Sequence, residues 1–172
     1  MLSIARLDAA ETALIRARLG EILIDSVEHG ASVGFLEPLS PEEADVYWRR
    51  IERAVADARC VLLAAKLEGE VVGTVQLDVD TLPNQPHRAT VSKLLVHTAA
   101  RRRGVGEALM RELERIAAEA GRWLLTLDTA TDAAERLYRR LGYRRAGPIP
   151  MYALNPDRTL TDTVFYWKDL RR

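Results

Sequence analysis

The sequence predicts an α/β protein with a mixed, twisted sheet and helices on both faces. Segments of strand length, rich in apolar residues, alternate with amphipathic segments of helix length. Two apolar strands, Cys60–Leu67 and Val71–Val79, flank the short turn Glu68-Gly69-Glu70, which predicts an antiparallel hairpin. Further along, a strand–helix–strand unit over Val91–Leu127 predicts a right-handed parallel crossover. A sheet that contains both kinds of pairing is mixed, with helices packed on its two faces.

The chain begins with a short edge strand, Leu2–Leu7, and a capped helix. Asp8 precedes an Ala-Ala-Glu first turn, as an N-cap residue does. The helix runs to about Val27, and its apolar stripe is predicted to comprise Leu14, Leu19, Ile22 and Leu23.

The next segment, HGASVGF at residues 29–35, breaks this helix with two glycines. Ser40 and Glu43 then form a capping box around Pro41, which predicts a second helix near Pro41–Ala58. The predicted apolar residues of this helix are Val46, Tyr47, Ile51 and Val55.

The second half of the chain follows the same local rules. Gly121 and Gly142 each end a helical segment, as C′ glycines do. A strand begins at Tyr143–Arg145, and its extension toward Tyr152 is left open. The other predicted elements are the helix Gly104–Ala120, the strand Trp123–Leu127, the helix Asp132–Leu141 and the final strand Thr161–Leu170.

Composition narrows the function classes. The 172 residues suit one domain spanning 1–172, and zero formal net charge argues against a nucleic-acid binder. One cysteine, Cys60, is predicted to be a core residue, and three histidines without metal-ligand spacing predict no metal site. No apolar run reaches the length of a membrane span, and the N-terminal segment carries an acid early. We therefore expect a cytoplasmic protein without membrane association.

The segment Arg101–Gly106 is the strongest functional signal. It has the pattern R-x-x-G-x-G at a strand-to-helix turn, with three consecutive arginines. Glycines allow close backbone approach, the first helical turn offers free N–H groups, and arginines bind phosphate. A Walker A loop is excluded because no Gly-Lys-Ser/Thr occurs, and a dinucleotide fingerprint because its third glycine is absent. The loop therefore predicts a phosphorylated cofactor; the alternative is an ordinary basic turn capped by glycine.

This loop resembles the acetyl-CoA pyrophosphate loop of the GNAT N-acetyltransferase superfamily. A second segment, AERLYRRLGY at 134–143, resembles the superfamily's A-x-x-L-Y-x-x-x-G-[FY] signature. The order of elements agrees with the same fold. The sequence departs from the usual pattern where Thr98 replaces a proline, Arg102 a glycine and Thr131 an asparagine.

Within the superfamily, the chain looks most like the tabtoxin-resistance acetyltransferase branch. Four segments carry this likeness: HGASVGF, LDT at 127–129, GPIPMY at 147–152 and TVFYWKDL at the end. Members of that branch acetylate an amino group of a small amino-acid-like toxin. An acid that the branch can carry at the head of the cofactor strand is Thr90 here.

The resemblance implies acetyl-CoA as co-substrate, no metal, and direct transfer of the acetyl group to a primary amine. Tyr138 is the candidate acid for the leaving thiolate; the alternative is a core tyrosine. Asp128 is the candidate base or ammonium anchor; the alternative is a helix cap, although Asp132 suits that role better. The cofactor-binding residues expected are Leu95, Val96, Arg101, Arg102, Arg103, Gly104, Val105, Gly106, Glu107 and Ala134.

The expected acceptor is a small amino-acid-like amine, an antibiotic or a toxin. The candidate acceptor-site residues are Glu28, His29, Phe35, Thr90 and Tyr152; a connecting turn is the alternative for the first three and packing for Tyr152. Two other functions stay open: acetylation of a protein N-terminal or side-chain amine, and acyl-CoA sensing without turnover. A homodimer through the aromatic final strand is also compatible with the sequence.

Overall fold

The computed structural model describes residues 1–171 and contains a seven-stranded sheet with four helices. Its elements are β1 (Leu2–Leu7), α1 (Ala9–Glu28), α2 (Pro41–Ala56), β2 (Cys60–Leu67), β3 (Glu70–Asp78), β4 (Arg88–Val96), α3 (Val105–Glu119), β5 (Leu124–Thr129), α4 (Asp132–Arg140), β6 (Arg144–Leu154) and β7 (Leu160–Asp169). The predicted mixed α/β fold is confirmed. The strand left open beyond Arg145 continues to Leu154.

The strands lie in the order β1-β2-β3-β4-β5-β7-β6, and only β4 and β5 are parallel. The predicted β2–β3 hairpin and the parallel pair around α3 are both present. The final strand, β7, lies between β5 and β6 and hydrogen bonds to both. The free edge at this end therefore belongs to β6, so β7 cannot offer its backbone to a second copy. Dimerisation itself stays a prediction.

Two hydrophobic cores cover the two faces of the sheet. On one face, α3 and α4 pack through residues that include Leu109, Met110, Leu113 and Tyr138. On the other, α1 and α2 pack through residues that include Leu19, Ile22, Tyr47 and Trp48. Cys60 is 9% exposed within the second core, and burial raises the pKa of its thiol to about 12. The helices thus hold the sheet from both sides, as predicted.

The caps of the first two helices are confirmed, but two apolar assignments are wrong. Asp8 and Ser40 each form a complete capping box. Leu14 is 84% exposed and Val46 68% exposed. Leu14 lies five residues before Leu19, outside the i, i+3, i+4 spacing, so Ile15 packs on the core instead. In α2, the buried stripe consists of Ala44, Tyr47, Trp48 and Ile51, and Val46 lies outside it. No helix described between residues 1 and 171 is long and apolar enough to cross a membrane.

A β-bulge in β4 decides which way its second half faces. Gln76 pairs with Ser92 and Thr74 pairs with Leu95, so one residue of β3 lies opposite the two residues Lys93 and Leu94. Lys93 has φ +50°, which is left-handed. An extra residue reverses the alternation of a strand. Ala89 and Val91 accordingly belong to the core under α3, whereas Leu95 belongs to the core under α1 and α2.

Candidate active site

The site lies in a cleft where the two parallel strands separate. β4 and β5 are paired only from Arg88–Thr90 to Leu124–Thr126. Beyond these residues β5 continues to hydrogen bond with β7, while Val91–Val96 of β4 has no paired residue on β5. Backbone groups on that side of β4 are therefore available to a bound molecule. Two cavities follow the cleft, one along Leu94–Val96 and one along Val91–Leu94.

The first cavity, of about 470 Å³, is closed at one end by the start of α3. Gly104 is the N-cap, with φ +80° and no side chain to satisfy the first N–H groups of the helix. Uncapped N–H groups and the positive end of the helix dipole favour an anion. Arg101 and Arg102 line the same end and supply two cations. This end of the cavity suits a phosphate group.

Nearly all the residues expected to bind the cofactor line this first cavity. Arg103 does not: its guanidinium donates to Glu68 at 2.8 Å, in the turn between β2 and β3. Leu137 and Arg140 of α4 also line the cavity, although neither was predicted from the sequence. A Cβ at Gly106 would lie 3.4 Å from the Leu137 side chain, so glycine lets α4 approach α3 here. The lining residues that were predicted are Leu95, Val96, Arg101, Arg102, Gly104, Val105, Gly106, Glu107 and Ala134.

Thr98, one of the departures from the family pattern, ties this loop to α1. Its backbone N–H and its hydroxyl both donate to the Asp25 carboxylate, at 2.9 and 2.7 Å. A proline has no N–H and could make neither bond. Burial alone would raise the pKa of Asp25, but Thr98, with His97 and His29 nearby, holds that pKa below its ordinary value.

The second cavity, of about 340 Å³, adjoins the first. Four residues line both cavities: Ala31, Leu94, Thr131 and Ala134. Four ionisable side chains line it: Lys93, Asp128, Tyr138 and Tyr152. The first three are the groups that could take part in acid–base or ionic chemistry beside the first cavity.

Tyr138 is 6% exposed on α4, with its ring 5.7 Å from that of Tyr143. Burial raises the pKa of its phenol above the ordinary value, and the charge of Asp128 raises it further. The phenol thus stays protonated at neutral pH. No other side chain within residues 1–171 hydrogen bonds to its hydroxyl, so its proton is available to a bound molecule.

Asp128 lies in β5 at the point where the strand has left β4. Partial burial raises the pKa of its carboxyl above the ordinary value, and the positive charge of Lys93 acts in the opposite direction. The alternative role of Asp128 as a helix cap is wrong, and so is Asp132 as the cap. Thr131 is the N-cap of α4, because its hydroxyl accepts from the Ala134 N–H.

Lys93 also lines the second cavity, although it was not predicted from the sequence. Its ammonium lies 5.7 Å from the ring centre of Tyr47 and 6.0 Å from that of Phe35. Burial lowers the pKa of Lys93, while Asp128 raises it. The available signal was a lysine in the middle of the apolar strand VSKLLV. A charged residue in such a strand is unusual unless a bulge or a cavity receives it.

The remaining acceptor candidates are only partly brought together. Tyr152 lines the second cavity, with its ring edge-on to Phe165 at 5.5 Å. His29 lines the first cavity instead, and Glu28 is exposed and lines neither. Two others also lie outside the cavity lining: Phe35 packs edge-on against Tyr47 at 5.2 Å, and the Thr90 hydroxyl lies 3.3 Å from that of Thr126.

Comparison with known proteins gives one family and one fold. The sequence profile of the acetyltransferase (GNAT) family matches residues 24–143, which is more than half of the chain. A ribosomal-protein-alanine N-acetyltransferase from Brucella melitensis has a similar structure, with a TM-score of 0.79 and 24% identity over 97% of this chain and 99% of that one. A protein of Salmonella typhimurium, yncA, solved with its cofactor acetyl-CoA, has a TM-score of 0.78 and 19% identity over 99% and 94% of the two chains. A protein assigned as a phosphinothricin N-acetyltransferase has a TM-score of 0.79 and 21% identity over 99% of each chain.

Proposed function

The chain belongs to the acetyltransferase (GNAT) family, and on that premise we propose that it moves the acetyl group of acetyl-CoA to a primary amine of a small, amino-acid-like molecule. One observation carries the proposal. A cavity suited to a phosphorylated cofactor adjoins a second, smaller cavity that is lined by a phenol and a carboxylate. The small volume of the second cavity favours a small acceptor over a peptide.

The first cavity fits acetyl-CoA by the chemistry of its lining. The pyrophosphate would lie at the uncapped N–H groups of α3, between Arg101 and Arg102. The pantetheine would run along the free side of Val91–Val96 and pair with its backbone. We expect the backbone amide near Val96 to face the thioester oxygen. A preorganised donor of this kind typically contributes about 3 kcal/mol in the transition state.

The reaction proposed is direct attack. The acceptor's ammonium first loses a proton to Asp128, directly or through water. The free amine then forms a C–N bond with the thioester carbonyl carbon while the C–S bond breaks. The electron pair leaves on sulfur, and Tyr138 provides the proton for it. As the amide forms, the attacking nitrogen gives up a second proton, which replaces through solvent the one that Tyr138 has lost. Asp128 releases its proton to solvent, so the products are the amide, the free thiol and one proton.

The two proposed groups act on each other. The charge of Asp128 raises the pKa of Tyr138 before the reaction, when the phenol must keep its proton. When Asp128 takes the proton of the amine, that charge disappears, and the pKa of Tyr138 falls. The phenol thus becomes a better acid in the step where the sulfur needs a proton. Neighbouring groups whose protonation is linked in this way titrate as a pair.

The test is acetylation of a panel of amines, followed by the free thiol and by mass spectrometry. The panel holds amino acids, small polyfunctional amines and short peptides. Tyr138→Phe should lower kcat about 100-fold and leave acetyl-CoA affinity nearly unchanged, because the phenol acts in the transition state. Tyr143→Phe is the matched control: Tyr143 is 4% exposed, touches Tyr138 and lines neither cavity. Equal loss in both variants would assign Tyr138 to packing.

The panel also separates the other functions. Acetylation of peptides alone would favour a protein acceptor, as in the Brucella neighbour's name. Tight binding of acetyl-CoA without any product would indicate a sensor. The phosphinothricin neighbour supports a small-molecule acceptor. The tabtoxin-resistance branch remains a proposal that the same panel can test, with an amino-acid-like toxin as acceptor.

A further inference from the structure

Lys93 is a cation without a counter-ion on the wall of the second cavity. Within residues 1–171, no carboxylate lies within 4.0 Å of its ammonium. The other two lysines of the chain differ from it: Lys66 is exposed, and Lys168 contacts Glu114 at 2.6 Å. A partly buried cation is costly unless it is paired and hydrogen bonded. The partly buried Lys93 ammonium, which has no such partner in the described part of the chain, therefore carries a free-energy cost.

Several features of the structure fix where this ammonium lies. The bulge in β4 turns Lys93 toward the second cavity, with a left-handed φ of +50°. The rings of Phe35 and Tyr47 face the ammonium at 6.0 and 5.7 Å and support it through cation–π attraction. The guanidinium carbon of Arg50, a second cation, lies 5.3 Å from the ring centre of Tyr47. Its positive charge repels that of Lys93. These neighbours position the ammonium but leave its hydrogen-bond donors free.

Asp128 carries the opposite charge in the second cavity, but it does not form a salt bridge with Lys93. Both side chains line the cavity, yet they are more than 4.0 Å apart. Their charges still act on each other across the space. A molecule between them meets a positive charge on one side and a negative charge on the other. That arrangement is complementary to a zwitterion.

We infer that Lys93 binds a carboxylate of the acceptor while Asp128 holds the amine that is acetylated, so that the acceptor is an amino acid or a close analogue. The inference rests on the proposed function for the role of Asp128, but it assigns a new specificity-determining residue. An amine without a carboxylate would leave the Lys93 cation buried without a partner. The site should therefore discriminate against decarboxylated or amidated analogues.

The first test observes Lys93 directly and does not depend on activity. The protein, with lysine labelled by ¹³C and saturated with CoA, gives signals from three lysines. The probes are the standard L-amino acids and, for each, its carboxamide. At least one amino acid should shift the Lys93 signal and raise its pKa, while its carboxamide should not. Lys66 and Lys168 serve as internal controls and should stay unchanged. No response of Lys93 to any amino acid, or an equal response to amino acid and carboxamide, overturns the inference.

The second test measures specificity. For an amino acid that is acetylated, the ratio of its kcat/KM to that of its carboxamide should fall about 10- to 100-fold in Lys93→Met, since an ionic hydrogen bond is lost. Lys66→Met, at an exposed position of β2, should keep the wild-type ratio. An unchanged ratio in Lys93→Met overturns the inference. If the Lys93 signal responds but nothing is acetylated, the proposed function fails while the carboxylate site stands.

Discussion

A valine at Gly104 tests whether the first cavity holds the pyrophosphate of acetyl-CoA. Gly104 begins α3 with φ +80° and lines the cavity, and no atom lies within 4 Å of the place its Cβ would take. Gly121 follows the other end of the same helix, with φ +73°, equally open space, and no contact with either cavity. The two glycines are therefore matched in conformation and differ in whether they face the proposed ligand.

The size of both effects follows from this geometry. A left-handed residue with a side chain costs about 1–2 kcal/mol, so both variants should lose about 2–8 °C in Tm. Only Gly104→Val places methyl groups where the N–H groups of α3 would meet phosphate oxygens. Losing one such charge-assisted hydrogen bond weakens binding about 10- to 100-fold.

Calorimetric titration with acetyl-CoA and thermal unfolding of both variants measure these effects separately. Gly104→Val should bind acetyl-CoA about 10- to 100-fold more weakly than the wild type, and Gly121→Val should bind it as the wild type does. Equal affinity in the two variants, with equal loss of Tm, would refute the reasoning. The pyrophosphate would then lie elsewhere.

Two further predictions concern charge and backbone in the same site. Arg102 has φ +62°, so Arg102→Gly should raise the free energy of unfolding by about 0.5–1 kcal/mol, and denaturant titration that shows lower stability would contradict this. The same substitution should weaken acetyl-CoA binding, because it removes a cation from the lining of the first cavity. The kcat/KM for an amine should fall as pH drops through the raised pKa of Asp128, since the base must be ionised. Asp128→Asn should lack this acidic limb and Asp132→Asn should keep it; Lys93→Met should move it to higher pH, because Lys93 lowers the pKa of Asp128. A limb that persists in Asp128→Asn would place the base elsewhere.

Local rules made much of the fold predictable. Asp8 and Ser40 predict helix starts because each is followed three residues later by a glutamate, which completes a capping box. The cap side chain and the glutamate side chain accept hydrogen bonds from backbone N–H groups of the first turn. The glycines at 104 and 121 bracket α3 because only glycine takes a left-handed conformation at low cost. The loop proposed to bind phosphate, Arg101–Gly106, is equally local. Its arginines, glycines and helix start are neighbours in sequence, so their proximity in space needs no further packing.

The second cavity could be predicted only in part, because its residues come from distant elements. Tyr138 was predicted from a motif and Asp128 from its place at the end of an apolar strand, and the loop after α1 was expected to line the acceptor site. That loop does contribute Ser32, Val33 and Gly34, whereas His29 reaches the first cavity and Glu28 reaches neither. Which side of a turn a residue faces depends on how α1 packs on the sheet. Sequence periodicity ends with the helix and cannot report it.

Lys93 shows most clearly the difference between what the sequence predicts and what the tertiary structure decides. Its identity and its place in an apolar strand are read directly from the sequence. Simple alternation would put it on the face of Ala89 and Val91, under α3, where a lysine has no place. The bulge opposite β3 reverses that alternation and turns the ammonium toward Phe35, Tyr47 and the second cavity. The sequence by itself determined the helix starts and most of the strands, since these depend on contacts between near neighbours. Tertiary structure alone decided the register of β4 against β3, and with it the charge on the wall of the second cavity, because register depends on how two separate strands pair.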